Sequence, residues 1–316
     1  MSHLKYHFVA FVVVAIWGST FVFTKMLLLA GLSPAQIFTL RFIIAYVLLF
    51  AFAFLRNKVI FSPLTPPDSG GEMRLFAASW RDELLMMALG VTGGSLYFLT
   101  ENSSMNYTTT TNTSLIVSLS PLVATFLIAL FYQSQRLNRV QCVGTLMAAL
   151  GVVIVVLNGH FVLHLSPLGD SLAFGAALCW GLYSLLMIPA NKKYDVVFIT
   201  RKVFFYGLLS MIPYYILRPS EASIFVSPST FLFPLSTLLN LLFLGCVASM
   251  LCFVAWNWVL KKLGAVVATN YVYFNPVTTI LFAWWLLDEK ITVWFLLGTA
   301  LILLGMYLAD KVSASR

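Results

Sequence analysis

The chain has 316 residues, of which 60% are hydrophobic, 15% aromatic and only 9% charged, with a mean hydropathy of +0.93. A soluble domain carries about a quarter charged residues, so an ordinary cytosolic enzyme is excluded, and abundant aromatics with few charges exclude disorder. The net charge of +8 and pI near 9.4 come from short cationic clusters between long apolar runs, the pattern that orients a membrane protein, not one that grips nucleic acid.

A bilayer-crossing helix needs about 20 apolar residues. Stretches bounded by charge, proline or polar clusters predict ten of them, at 8–29, 36–55, 84–105, 109–132, 138–158, 168–190, 198–217, 234–260, 264–287 and 291–310. The run from Phe8 to Leu29 is too long for a signal-peptide core, is interrupted by Trp17, Gly18 and Lys25, and is followed by no small-x-small cleavage site; it reads as a retained first helix. The connection from Arg56 to Glu83, with Pro63, Pro66, Pro67, Gly70 and Gly71, reads as a loop. Its later part, Met73 to Glu83, reads as a segment lying along the membrane surface. Polar residues from Thr100 to Ser114 blur the boundary between the third and fourth spans. The cysteines Cys142, Cys179, Cys246 and Cys252 form no CxxC pair or zinc-like spacing with histidine, so they read as small buried hydrophobes, and no disulfide is expected.

Orientation follows from the cations. With the N-terminus in the cytoplasm, that side collects Lys5, Arg56, Lys58, Arg74, Arg81, Arg136, Arg139, Lys192, Lys193, Arg201, Lys202, Lys261, Lys262, Lys311 and Arg316. The opposite side holds only Arg218 and Lys290, while Lys25 and Arg41 fall within spans. This asymmetry predicts a multi-pass protein of the plasma (inner) membrane with both termini cytoplasmic and an even number of crossings.

The two halves answer each other. Trp17-Gly18 in span one matches Trp180-Gly181 in span six, and Phe38-Thr39-Leu40-Arg41 matches Phe198-Ile199-Thr200-Arg201. Asn102 matches Asn257, Ser120-Pro121-Leu122 matches Asn275-Pro276-Val277, and Arg136-Leu137 matches Lys290-Ile291. Gly144 and Gly151 match Gly298 and Gly305, each pair seven residues apart and so on one helix face. Five spans per half is an odd number, so the copies, 1–158 and 159–316, have opposite orientations. The expected fold is an all-α membrane protein of ten transmembrane helices in two inverted five-helix repeats. Inverted repeats mark secondary transporters, with the substrate near the midplane between the halves; a duplicated bundle without transport is the plain alternative.

This pattern resembles the EamA branch of the drug/metabolite transporter superfamily: Trp-Gly in spans one and six, Arg41 in span two, the Ser-x-x-Pro region opening span four, and glycine-spaced spans five and ten. The likeness covers nearly the whole chain in two copies and implies a 5+5 inverted-repeat fold that exports amino acids or other small metabolites. The family often carries a Glu just before the last span of each half; Glu289 fits, whereas Gln135 stands there in the first half.

Within the spans, Glu101 is the most informative ionisable residue, because a carboxylate at membrane depth must be paired, protonated or wet. It reads as a site of proton or cation coupling, a counter-charge for a substrate ammonium, or an acid already in the aqueous interface. Arg41 offers a bidentate partner for a substrate carboxylate or a structural partner for Glu101. Lys25 reads as a third charge at that level or as a side chain snorkelling to the headgroups. Trp17 and Trp180 occupy matching positions and are expected to face each other across a central cavity, with Tyr97, Tyr183, Tyr271 and Tyr273 adding hydroxyls and apolar faces. For any one of these aromatics, core packing or interface anchoring is the bland reading. The amides of Asn112, Asn257 and Asn270 either bind substrate or join helices. Pro121 and Pro276 are expected to kink spans four and nine. The glycine faces permit close approach within one chain or between two chains of a homodimer.

Three Asn-x-Ser/Thr matches lie in or beside spans and are discounted, no GxxxxGK[ST] loop is present, and His3, His7, His160 and His164 lie outside the spans without an HExxH pattern. The reading is therefore a secondary transporter with a small-molecule substrate, the lipid bilayer as its medium, no cofactor, no metal and no nucleic-acid partner. Coupling to a proton or cation and simple uniport both remain open. The rivals are an intramembrane enzyme such as a lipid-modifying transferase, and a non-transporting membrane subunit.

Overall fold

The computed structural model describes residues 4–56, 58–60, 72–132, 139–157, 166–222, 225, 233–287 and 293–311. Gln135, Arg136, Glu289, Lys290 and the histidines at 3, 160 and 164 lie outside them. Helices occupy every stretch read as a span. The first half holds α1 (Leu4–Leu29), α2 (Pro34–Arg56), α3 (Trp80–Gly90), α4 (Leu96–Tyr107), α5 (Thr110–Val117), α6 (Ser120–Phe131) and α7 (Arg139–Leu157). The second holds α8 (Pro167–Lys193), α9 (Val196–Leu209), α10 (Ile212–Leu217), α11 (Pro219–Ala222), α12 (Leu235–Leu242), α13 (Cys252–Leu263), α14 (Ala265–Asn270), α15 (Asn275–Leu287) and α16 (Val293–Lys311). Among the described residues seven runs are long and apolar enough to cross a membrane; Arg139–Ile154 and Leu296–Leu308 are shorter apolar helices. Apart from one short strand pair in the 56–83 connection, the described residues form a helical, multi-pass membrane protein.

Local chemistry sets the boundaries. Ser79 caps α3, accepting from the Asp82 amide, and Ser166 caps α8 just before Pro167, with Asp170 in the first turn and Lys192 and Lys193 in the last. The polar stretch after Thr100 continues α4 to Tyr107; extended backbone at Thr108 and Thr109 then ends it, and the Thr109 hydroxyl caps α5. Two readings are corrected. The 56–83 connection is not all loop, because Lys58–Ile60 (β1) pairs in parallel with Glu72–Arg74 (β2), and Trp80 to Glu83 form the first turn of α3. All four cysteines are free, yet only Cys179 and Cys252 are buried; Cys142 is exposed, since α7 turns that face outward from the bundle.

Two spans are interrupted at their centres. A π-helical turn, Val91–Ser95, joins α3 to α4, with Gly94 at φ −120° and ψ −105° outside helical geometry. A second π-helical stretch, Phe243–Leu251, joins α12 to α13. The fourth and ninth stretches tighten before their prolines: Leu119 donates to Ile116 between α5 and α6, and a 3₁₀ turn, Tyr271–Phe274, links α14 to α15. Pro121 and Pro276 lack an amide proton, so the preceding turn closes with i→i−3 bonds.

Packing is matched between the halves. α1 lies on α15 and α13, while α8 lies on α6 and α4; α7 pairs with α16. Glycine makes the contacts close. A Cβ on Gly18 overlaps the Thr278 side chain and comes within 2.6 Å of the Asn275 carbonyl on α15; one on Gly181 comes within 2.7 Å of Val123 on α6. A Cβ on Gly151 would come within 2.7 Å of the Gly298 carbonyl and one on Gly305 within 2.5 Å of the Gly144 carbonyl, so the two glycine faces meet within one chain.

Gly18→Ala is expected to lower the thermal midpoint of the purified protein, by about 1–3 kcal/mol of overpacking, because the obstructing atoms are backbone and a short side chain. Gly175→Ala, whose new methyl meets only Thr100 at 3.8 Å, is expected to be neutral or stabilising. Equal effects of the two would contradict the packing described.

Candidate solute-binding site

At the centre of the bundle a cavity is lined by Trp17, Thr20 and Phe21 of α1, Arg41 of α2, and Tyr97, Phe98 and Glu101 of α4. Ser120, Trp180, Phe253, Val272 and Asn275 complete it from α6, α8, α13, the 3₁₀ turn and α15. Trp17, Thr20 and Phe21 share a face because residues three and four apart on a helix do.

Aromatic rings form most of the wall. Trp17 meets Trp180 edge-to-face at 5.3 Å and 90°, Trp256 at 5.1 Å and Phe253 at 5.6 Å, and its Nε1 donates to the Ala248 carbonyl at 2.9 Å. The two tryptophans expected to face each other across a gap are therefore in contact. Tyr97 lies 5.1 Å from Trp180. The space left between these rings has room for one or two waters, so the aromatic side chains nearly fill the centre.

Two opposite charges share that wall. Glu101 is 7% exposed and accepts from the Tyr97 hydroxyl at 2.7 Å. Arg41 is 1% exposed; its Nε donates to Ser249 Oγ at 2.9 Å and its guanidinium lies 4.4 Å from the centre of the Phe98 ring. Among the described residues no ion pair joins Arg41 to Glu101. The Arg41 head is thus anchored on one side, by a π-helical serine and a ring face, with its terminal N–H groups uncommitted to protein.

The other predicted residues are placed elsewhere. Tyr183 donates to Asn257 Oδ1 at 2.6 Å, and Asn257 Nδ2 to Thr200 Oγ1 at 2.9 Å, a buried chain joining α8, α13 and α9 outside the cavity wall. Asn112 reaches Thr108 at 2.9 Å and Asp170 at 2.5 Å, tying α5 to the start of α8. Lys25 donates to the Met105 carbonyl at 2.8 Å, placing a positive charge at the C-terminal turn of α4. Asn270 and Tyr273 are buried beside the 3₁₀ turn, without partners for Asn270 Oδ1 or the Tyr273 hydroxyl, and do not line the cavity. Tyr271 meets His7 at 2.7 Å. Sequence reasoning missed Thr20, Phe98, Ser249 and Phe253 as site residues; Ser120 and Asn275 carried a signal, since each precedes the matched proline.

Hydrogen-bonded clusters close both ends of the bundle. At one, Asp82 accepts from Lys193 at 2.7 Å and from the Tyr194 hydroxyl at 3.0 Å, Glu83 accepts from Lys202, Tyr206 and the Ala77 amide, and Lys261 donates to the Tyr194 carbonyl at 3.0 Å. Burial pushes the Tyr194 hydroxyl up to about 12, which keeps it a neutral donor. At the other end Glu221 accepts from Ser33 at 2.5 Å and Tyr214 at 3.0 Å, while Gln36 donates to its carbonyl at 2.9 Å.

A helical membrane bundle with a polar, aromatic-walled centre closed at both ends belongs to the class of membrane transporters, and the comparisons agree. The chain belongs to the EamA-like transporter family, whose model matches residues 4–157 and again 167–309. It is 28% identical to an uncharacterized transporter of Archaeoglobus fulgidus over 96% of both chains. It is 24% identical to a probable amino-acid metabolite efflux pump of Escherichia coli, over 95% of this chain and 92% of that one. A crystal structure superposes with a TM-score of 0.72 at 18% identity, covering 99% of this chain and 100% of that one, which shows a shared fold. Family and relatives are transporters, not enzymes.

Tyr183→Phe is expected to destabilise the protein by about 1–3 kcal/mol, because Asn257 Oδ1 is left buried without its donor, while solute affinity stays unchanged. Thermal unfolding and transport of the same preparation test both halves of that statement.

Proposed function

We propose that this protein is a secondary carrier of the plasma membrane, with both termini cytoplasmic, that exports amino acids or similar small metabolites by alternating access between two inverted five-helix repeats. The observation that carries the proposal is the central cavity: a carboxylate and a guanidinium, unpaired with each other, share one aromatic-walled space built from both halves. The two charges match a zwitterion, with its ammonium toward Glu101 and its carboxylate toward Arg41 once the cavity widens. Residues 1–158 and 159–316 are read as the repeats because contacts recur on exchange: α1 on α15 answers α8 on α6, Gly18 answers Gly181, and the π-helical stretches interrupt matching spans.

The end clusters support alternating access. Each has an acid beyond the second span of a half grasping the turn between the first two spans of the other. On the proposed topology Asp82 and Glu83 hold the cytoplasmic end and Glu221 the external one. The nearly filled centre also favours a second reading, a non-transporting subunit plugged by its own rings. Comparing metabolites inside and outside overexpressing and deletion cells separates the two: a carrier changes the distribution of specific solutes, a plugged subunit changes none.

Two variants sharpen this. Glu101→Gln is expected to abolish coupled export at unchanged expression; full transport at every pH assigns Glu101 no coupling role. In protein carrying Cys142→Ser and Cys246→Ser, Glu83→Gln is expected to raise maleimide labelling of buried Cys252 from the cytoplasmic face, and Glu221→Gln from the external face. Labelling that ignores the latches removes their gating role.

A further inference from the structure

We infer that Ser120, Trp180 and Asn275 form an oxyanion-binding pole of the cavity that, with Arg41, takes the carboxylate of the solute. The inference rests on the reading of this cavity as the solute site and adds the residues that complete it.

Ser120, Trp180 and Asn275 line the cavity, and among the described residues Ser120 Oγ, Trp180 Nε1 and Asn275 Oδ1 have no hydrogen-bond partner, although Ser120 is 0% exposed and Trp180 and Asn275 are each 4% exposed. An unpaired polar group at this depth costs far more than one at a surface, because no lipid group can replace the missing partner. Three such groups belong to residues of this one wall. Trp180 supplies a donor only, Ser120 a hydroxyl that rotates to donate, and the Asn275 amide a donor once its NH₂ end faces inward. A set weighted towards donors selects an acceptor ligand.

The Ser120 and Asn275 side chains stand at matching places, each one residue before the proline of its span. A carboxylate presents about four acceptor positions. The two-pronged edge of Arg41 fills two, and the three neutral donors supply the remainder. Glu101 balances Arg41, so the cavity as a whole is neutral and admits a zwitterion without an excess charge to bury. Neutral donors also suit a carrier, which must let go of what it binds.

The test uses the full chain in proteoliposomes loaded with the twenty protein L-amino acids, efflux being followed by mass spectrometry, with propionate as a bare carboxylate competitor. Wild-type protein is expected to move at least one amino acid and to be inhibited by propionate. For that amino acid Ser120→Ala with Asn275→Ala should raise the half-saturating concentration about 10-fold, leave the maximal rate within about 2-fold and relieve propionate inhibition. Asn275→Asp, nearly isosteric but anionic, should abolish transport while remaining monodisperse. An unchanged half-saturating concentration, a lost maximal rate at unchanged half-saturation, or an active Asn275→Asp overturns the pole while leaving the carrier standing. A wild-type protein that moves none of the twenty overturns the amino-acid reading and the pole with it, while the metabolite comparison in cells still decides whether the protein is a carrier.

Discussion

In a bilayer no solvent completes an unfinished hydrogen bond, so every polar group at membrane depth must be answered from within the protein. Much of this molecule obeys that constraint in full. The Tyr183–Asn257–Thr200 chain, the Asn112–Asp170 contact and the Lys25 bond to the Met105 carbonyl each join elements far apart in sequence. These groups are answered, and their work is to fix helix against helix. Ser120, Trp180, Asn275 and the outer face of the Arg41 guanidinium are not answered, and all of them line one cavity. Unpaired groups also lie off the cavity, Asn270 Oδ1 and the Tyr273 hydroxyl among them, so it is their gathering with Arg41 and Glu101 that distinguishes this wall.

Close backbone approach is the second constraint, and it explains where glycine stands. Gly18 and Gly181 each follow a cavity tryptophan and let the helix behind it press onto α15 or α6. Trp17 and Trp180 are thereby pushed together until their rings touch. The same pressure brings the starts of α6 and α15, with Ser120 and Asn275, to the cavity edge. A methyl group at either glycine moves the tryptophan and the polar pole apart together.

Much of this was legible in one dimension. The apolar stretches, the Trp-Gly pairs and the Ser-Pro and Asn-Pro steps locate the helices and the central wall, because length, close packing and a missing amide proton are local properties. Arg41 and Glu101 stood out because charge at membrane depth is rare. Other features were not legible. That Tyr183 and Asn257 serve each other depends on α8 and α13 lying side by side, and Ser249 reaches Arg41 only because π-helical geometry shifts its position around the helix axis. Periodicity assumes a regular turn, so it fails where the turn is widened. The β1–β2 pairing was hidden among prolines and glycines that usually mean loop.

The end clusters and the centre constrain each other energetically. If the centre were a permanent core, the unanswered groups around it would be a standing cost with no return, and the dense bonding of Asp82, Glu83 and Glu221 at the two ends would be redundant with it. If a solute enters, its carboxylate and ammonium supply the missing partners, and the stability gained is available to offset breaking the bonds at one end. Each end cluster is polar and partly exposed, so opening it exchanges protein partners for water at modest cost. On the proposed carrier reading, a molecule bonded densely at its ends and sparsely at its centre opens at one face when a solute of matching charge is bound.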